Sequence, residues 1–136
     1  MAILGHGCDV VMMTRILEIF KRRGAHRLAS RILSRAEMSD WQLQLSRSET
    51  PEGTENARFL AVRWAVKEAS YKALYPTFKP TWKELTYRSK GEDGSKPCLT
   101  YTPSSNTTTS VDALKIHCSV SHDEPIVFAS VIVETK

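Results

Sequence analysis

No stretch of this sequence comes near the ~18 consecutive apolar residues that a membrane-spanning helix needs. Even the apolar run from Ile126 to Val133 is interrupted by Ser130 and ended by Glu134. Cysteine is scarce: Cys8, Cys98 and Cys118 are an odd number without C-x-x-C spacing, which argues against a zinc site or a disulfide framework. They read as reduced thiols of a reducing compartment. Recognisable targeting signals are also lacking, because Met1 to Val11 holds Asp9 where a secretory core would need hydrocarbon, and there is no Arg-rich, Ser-rich presequence. Cytoplasm or mitochondrial matrix is the expected location. At 136 residues the chain is too short for two catalytic lobes, and one domain over residues 1–136 is expected. With 41% hydrophobic and 25% charged residues it has enough apolar content for one core and is neither disordered nor fibrous.

Charge is unevenly spread. Between Arg15 and Arg35 stand Arg15, Lys21, Arg22, Arg23, Arg27, Arg31 and Arg35 against Glu18 alone, a local charge of +6 in a chain of net +4. Such a patch fits an acidic partner, whether nucleic acid, an anionic membrane surface or an acidic protein, and equally a solvated helix face.

Ile3 to Val11 reads as a short buried strand in which Gly5 and Gly7 permit close backbone approach. Thr14 is the expected N-cap of a first helix and Gly24 its stop. A second basic helical stretch runs to Leu33, and Ser34 with Glu37 has capping-box spacing for a third helix through Trp41 and Leu45. Ser46 to Glu55 is a loop, and Asn56 to about Tyr75 is a long helix ended before Pro76. Strands follow at Leu85 to Tyr87, Cys98 to Tyr101, Ile116 to Val120 and Ile126 to Val133, with Gly91 to Pro97 as a hairpin connection and Ser104 to Ser110 as a polar tip. One strand, then helices, then strands predicts an α+β fold with a mostly antiparallel sheet.

At roughly 100° per residue the long helix sorts Phe59, Val62, Val66, Ala69 and Ala73 onto an expected core face. Ala61, Ala65, Glu68 and Lys72 fall on another, where two alanines leave room beside a carboxylate and an amine. Alone, Glu68 and Lys72 read as an exposed i,i+4 pair worth only ~0.3–0.5 kcal/mol. Asp9 alters that weighting, since a carboxylate in an apolar strand needs a cation. Asp9 and Glu68 are a donor set that Mg²⁺ accepts, one or two carboxylates completed by phosphate oxygens and water, with Lys72 able to meet a phosphate. His122 stands where a strand enters the Asp123-Glu124-Pro125 turn, and strand ends commonly carry function. Gly5-His6-Gly7 lacks the third glycine of a dinucleotide fingerprint.

Taken together, Gly5-His6-Gly7-Cys8-Asp9-Val10 with Arg15-Ile16, Arg31-Ile32-Leu33-Ser34 with Glu37, Arg58 to Ala69 with Lys72, Lys96-Pro97, and Ser119-Val120-Ser121-His122 resemble, in order, the short holo-acyl-carrier-protein synthase type of the 4′-phosphopantetheinyl transferase superfamily. The resemblance implies Mg²⁺-dependent transfer of the 4′-phosphopantetheine arm of coenzyme A to a serine of an apo acyl-carrier protein, in support of fatty acid synthesis. It implies that Asp9 and Glu68 bind Mg²⁺, that Lys72 neutralises phosphate charge and that Glu68 takes the serine proton. It further implies that His122, Arg63 and Lys67 hold the nucleotide or pyrophosphate beside Lys72, and that Arg15, Arg22 and Arg23 dock the carrier. A homotrimer with sites completed between subunits is the expected assembly, with neither nucleic acid nor membrane as partner. The chain departs from the family pattern at Leu74 to Pro80, where a Gly-rich turn is usual. Two other functions compete: the same transfer to carrier domains of polyketide or peptide synthases, and a non-catalytic basic nucleic-acid-binding module. The latter explains Arg15 to Arg35 but gives Asp9, Glu68 and His122 no role.

Overall fold

The computed structural model describes residues 1–91, 93–94, 96–104 and 110–136. Strand β1 (Ala2–Met12) leads into helices α1 (Met13–Arg23), α2 (Ala25–Ile32), α3 (Arg35–Ser46) and α4 (Thr54–Leu74). After a 3-10 turn at Trp82–Glu84 come β2 (Leu85–Arg88) and β3 (Cys98–Tyr101), then a second 3-10 turn at Val111–Ala113, and finally β4 (Leu114–Asp123) and β5 (Ile126–Thr135). The fold is α+β, and every strand pair is antiparallel, but the strands form two sheets: β1-β5-β4 and the ribbon β2-β3. Part of the expected tip between Ser104 and Ser110 lies outside the described residues. No helix among the described residues is long and apolar enough to cross a membrane.

The sequence accounts for several of these boundaries. Gly24 ends α1 with φ +84°, a left-handed conformation that glycine adopts without a Cβ clash, and its N–H closes onto Phe20 O. Ser34 and Glu37 form the reciprocal capping box that starts α3. Thr14, in contrast, is not a cap: α1 begins at Met13, directly from the strand, and the Met13 N–H is met by Pro125 O at 2.8 Å. The turn between β4 and β5 thus supplies the acceptor that a capping hydroxyl would have offered.

Helix α4 is pressed against β1, which explains the glycine pair. A Cβ at Gly5 would sit 2.0 Å from Ala73 O, and one at Gly7 2.1 Å from Ala69 O. Two strand residues therefore climb beside four helix residues, a match of ~6.6 Å to 6 Å. Burial around α4 is broader than one stripe: Ala57, Leu60, Ala61, Ala65, Val66, Ala69, Ala73 and Leu74 are all buried, while Phe59 and Val62 are only half-buried. The expected space at Ala61 and Ala65 is consequently filled by packing. The helix is enclosed on several sides, so its apolar residues do not follow one face.

The three-stranded sheet carries apolar residues on both sides. Val127, Ala129, Val131 and Val133 turn inward and are buried. On the reverse face Ile126, Phe128 and Ile132 stand 37–44% exposed, and register brings Met12 beside Ile126 and Val10 beside Phe128. Among the described residues nothing covers these side chains.

Candidate active site

The strand-to-helix match fixes the site. Gly5 meets Ala73 and Gly7 meets Ala69, so Asp9, two residues further on the same face of β1, arrives beside the preceding turn of α4. Asp9 lies three residues before the end of the strand. Its half-buried carboxylate is 3.3 Å from Lys72 Nζ, which also donates to Cys8 O at 2.9 Å. Glu68, one helical turn before Lys72, is half-buried, and its Oε1 accepts from Trp82 Nε1 at 3.0 Å. Asp9, Glu68 and Lys72 thus gather along one side of α4.

No group of three or more His, Cys, Asp or Glu side chains among the described residues could enclose a metal ion. The protein offers a cation here two carboxylates at most. That fits a hard ion such as Mg²⁺, which completes its shell with phosphate oxygens and water, and does not fit a zinc-type cage.

Lys67 falls elsewhere. It is fully buried, and its three N–H donors go to Glu37 Oε1, Ile32 O at 2.9 Å and Trp82 O at 2.9 Å. Glu37, also fully buried, accepts in addition from Ser34 N at 2.8 Å and Tyr87 N at 3.1 Å. Removal from water pulls the Lys67 ammonium below the ordinary lysine range, against the upward pull of Glu37. With every donor committed, Lys67 is a structural anchor and not the nucleotide ligand that the resemblance implied.

Arg63 lies on a further side of α4, five residues and hence roughly 140° from Glu68. Its guanidinium stacks 3.4 Å from the Phe59 ring centre and 5.3 Å from that of Tyr87, and Nη1 donates to Phe59 O at 3.1 Å. Burial lowers its pKa. Nε is buried without a hydrogen-bond partner among the described residues, 3.8 Å from Glu37 Oε2. Arg63 also edges a cleft that contains Arg47, Arg88 and Lys90. His122 is exposed near the end of β4, with β5 between it and β1. An ion pair between Arg58 and Glu124 ties the neighbouring turn to α4. Within one chain, therefore, Arg63 and His122 do not join the Asp9 cluster.

The basic stretch also has a definite place. Arg22, Arg23, Arg27 and Arg31 line a cleft of about 650 Å³ whose remaining wall includes Trp64 and Trp82. Exposed Arg15 sits 4.8 Å over the Trp64 ring, and Trp64 packs against Trp82 with ring centres 5.3 Å apart. Sequence reasoning missed Trp82 and the burial of Glu37. The capping-box spacing of Thr81 and Glu84 could have located the turn that carries Trp82, though not its contacts.

Two carboxylates and an ammonium on one side of a helix, next to a cleft of arginines, place the protein among enzymes that handle phosphate esters. The chain belongs to the 4′-phosphopantetheinyl transferase superfamily, whose sequence pattern matches residues 5–124. It is 31% identical over 136 residues to the holo-[acyl-carrier-protein] synthase of Pectobacterium carotovorum, covering 99% of this chain and 100% of that one. Its identity to the enzyme of the same name from Klebsiella pneumoniae is 33% over 136 residues, with the same coverage. Among solved structures it is similar to the holo-[acyl-carrier-protein] synthase of Neisseria meningitidis, with a TM-score of 0.74, 26% identity and coverage of 98% and 99% of the two chains. The fold is also shared with the synthase of Bacillus anthracis crystallised with coenzyme A (3′,5′-ADP), at a TM-score of 0.73, 23% identity and full coverage of both chains.

Proposed function

We propose that the protein is a holo-[acyl-carrier-protein] synthase that moves the 4′-phosphopantetheine arm of coenzyme A onto a serine of an apo acyl-carrier protein, in support of fatty acid synthesis. The observation that carries this reading is the Asp9–Lys72 contact beside Glu68, in a chain whose full-length relatives bear that name. The serine oxygen forms a bond to the phosphorus that bears the pantetheine arm, and the bridging P–O bond breaks. Adenosine 3′,5′-bisphosphate leaves with the electron pair, and Glu68, directly or through water, receives the serine proton. Lys72 meets the charge of the phosphates. Asp9 and Glu68 would hold Mg²⁺, which when bound neutralises pyrophosphate charge. Displacement at phosphorus asks the protein mainly for positioning and charge neutralisation, which these side chains supply.

The cleft of Arg22 and Arg23, with Arg15 beside it, suits an acidic carrier. The uncovered apolar face of Val10, Met12, Ile126, Phe128 and Ile132 supports a homotrimer, since a patch of this kind marks an association surface. In such an assembly Arg63 and His122 would reach a nucleotide held by the Asp9 cluster of a neighbouring subunit. The three cysteines are free thiols, in keeping with the cytoplasm or mitochondrial matrix. The nucleic-acid-binding alternative leaves the Asp9–Lys72–Glu68 cluster without a use. The test is to incubate the protein with Mg²⁺, coenzyme A and an apo carrier and to weigh the carrier. A mass gain of one phosphopantetheine is expected, and an unchanged carrier refutes the activity; native mass measurement tests the trimer in the same sample.

A further inference from the structure

Trp82 is held in three ways. Its carbonyl accepts from buried Lys67, its ring packs tilted against Trp64, and its Nε1–H donates to Glu68 Oε1 at 3.0 Å. Lys67 and Glu68 are consecutive on α4 and so point about 100° apart. One residue from outside the helix thus spans two of its sides, its backbone fastened to the buried Lys67–Glu37 pair and its indole reaching the carboxylate.

The chemistry of the contact is directional. An indole nitrogen is a donor only, in the plane of a rigid ring, so it cannot turn to become an acceptor as a hydroxyl can. A glutamate has three side-chain torsions, and free in solvent it would spread over several rotamers. Fixing Oε1 on a donor that Lys67 and Trp64 already hold removes most of that spread. Oε2 has no partner among the described residues and is left for the substrate side.

We propose that Trp82 is the positioning residue of Glu68: its indole N–H orients the carboxylate for the transfer, and Lys67 sets the place of Trp82. The assignment rests on Glu68 acting in the reaction, and the experiment separates the two ideas. Trp82→Phe keeps a ring against Trp64 and removes the N–H. A charge-assisted hydrogen bond that orients a reacting group is expected to cost about ten-fold in kcat, with KM for coenzyme A and for the carrier within about two-fold of the parent. In a Glu68→Asp protein, whose shorter side chain cannot keep the indole contact, adding Trp82→Phe is expected to change kcat by less than about two-fold, the coupling expected of residues that act as a unit. Where Phe loosens the fold, 3-benzothienylalanine at position 82 performs the same test, because it retains the bicyclic ring and exchanges only N–H for sulfur. An unchanged kcat, or the same ten-fold loss in both backgrounds, overturns the positioning role and leaves Glu68 in place. Retention of turnover by Glu68→Gln overturns the role of Glu68, and the positioning role with it.

Discussion

Replacing Lys67 by methionine separates a structural lysine from a substrate-binding one. The substitution nearly preserves length and volume, but it leaves the Glu37 carboxylate fully buried, with the N–H groups of Ser34 and Tyr87 and, as its remaining cation, only the Arg63 guanidinium at 3.8 Å. Removing one partner of a buried ion pair typically costs about 3–5 kcal/mol, mostly for the charge left behind. Melting entropy of ~2.1 cal/mol/K per residue gives about 0.29 kcal/mol/K for a chain of 136 residues, so the melting temperature should fall by about 10–17 °C. The assay is thermal unfolding by circular dichroism at matched protein concentration, since assembly would raise apparent stability. Calorimetric titration with coenzyme A accompanies it. Lys67→Met with Glu37→Gln, which removes the stranded charge, should recover part of the loss. A melting temperature within about 3 °C of the parent, together with weakened coenzyme A binding, would refute the reasoning and return Lys67 to the ligand.

Gly7→Ala must push its new Cβ out from 2.1 Å to ordinary contact with Ala69 O, a displacement of about 1 Å that moves Asp9 away from α4; we expect about 1–3 kcal/mol of destabilisation and up to 10²-fold lower kcat, and normal activity would refute the close fit. Arg22→Glu with Arg23→Glu should raise KM for the carrier at least ten-fold with KM for coenzyme A nearly unchanged, and added salt should imitate the pair; equal changes in both constants would place carrier docking elsewhere. Burial, helped by nearby Cys98, pushes the Cys118 thiol up to about 11, so iodoacetamide followed by mass spectrometry should label it far more slowly in the folded than in the urea-unfolded protein at pH 8, and faster as pH nears 11. Equal rates in the two states would contradict that burial. Glu68→Gln and Arg63→Ala proteins, each nearly inactive, should regain partial activity when refolded together; confirmed mixing without recovery would mean a site built within one chain.

What could be read from the sequence was whatever a short segment dictates for itself. Gly24 announced a helix end and Ser34 with Glu37 a cap, because each depends on conformations or contacts within a few residues, whereas Gly5 and Gly7 announced room for a close backbone approach but not that α4 would fill it. Asp9 stood out for the same reason, as an acid in an apolar strand. The long helix could be located but not oriented. Periodicity assumes one wet face, and α4 has little of one: small alanines bring it onto β1, while charged Arg63 and Lys67 are buried on its other sides. Lys67 looks like any surface lysine until it is set beside Glu37, thirty residues earlier, and Trp82, fifteen later. Those long-range partners decide the sign of the argument. A lysine with free donors would seek a phosphate, whereas one whose donors are all taken fixes the turn that carries Trp82, and through it Glu68. The same W-K-E triplet of Trp64, Lys67 and Glu68 therefore sends one side chain to the basic cleft, one to the buried pair and one to the Trp82 indole on the side of Lys72, a division that spacing along the helix permits but only the surrounding fold assigns.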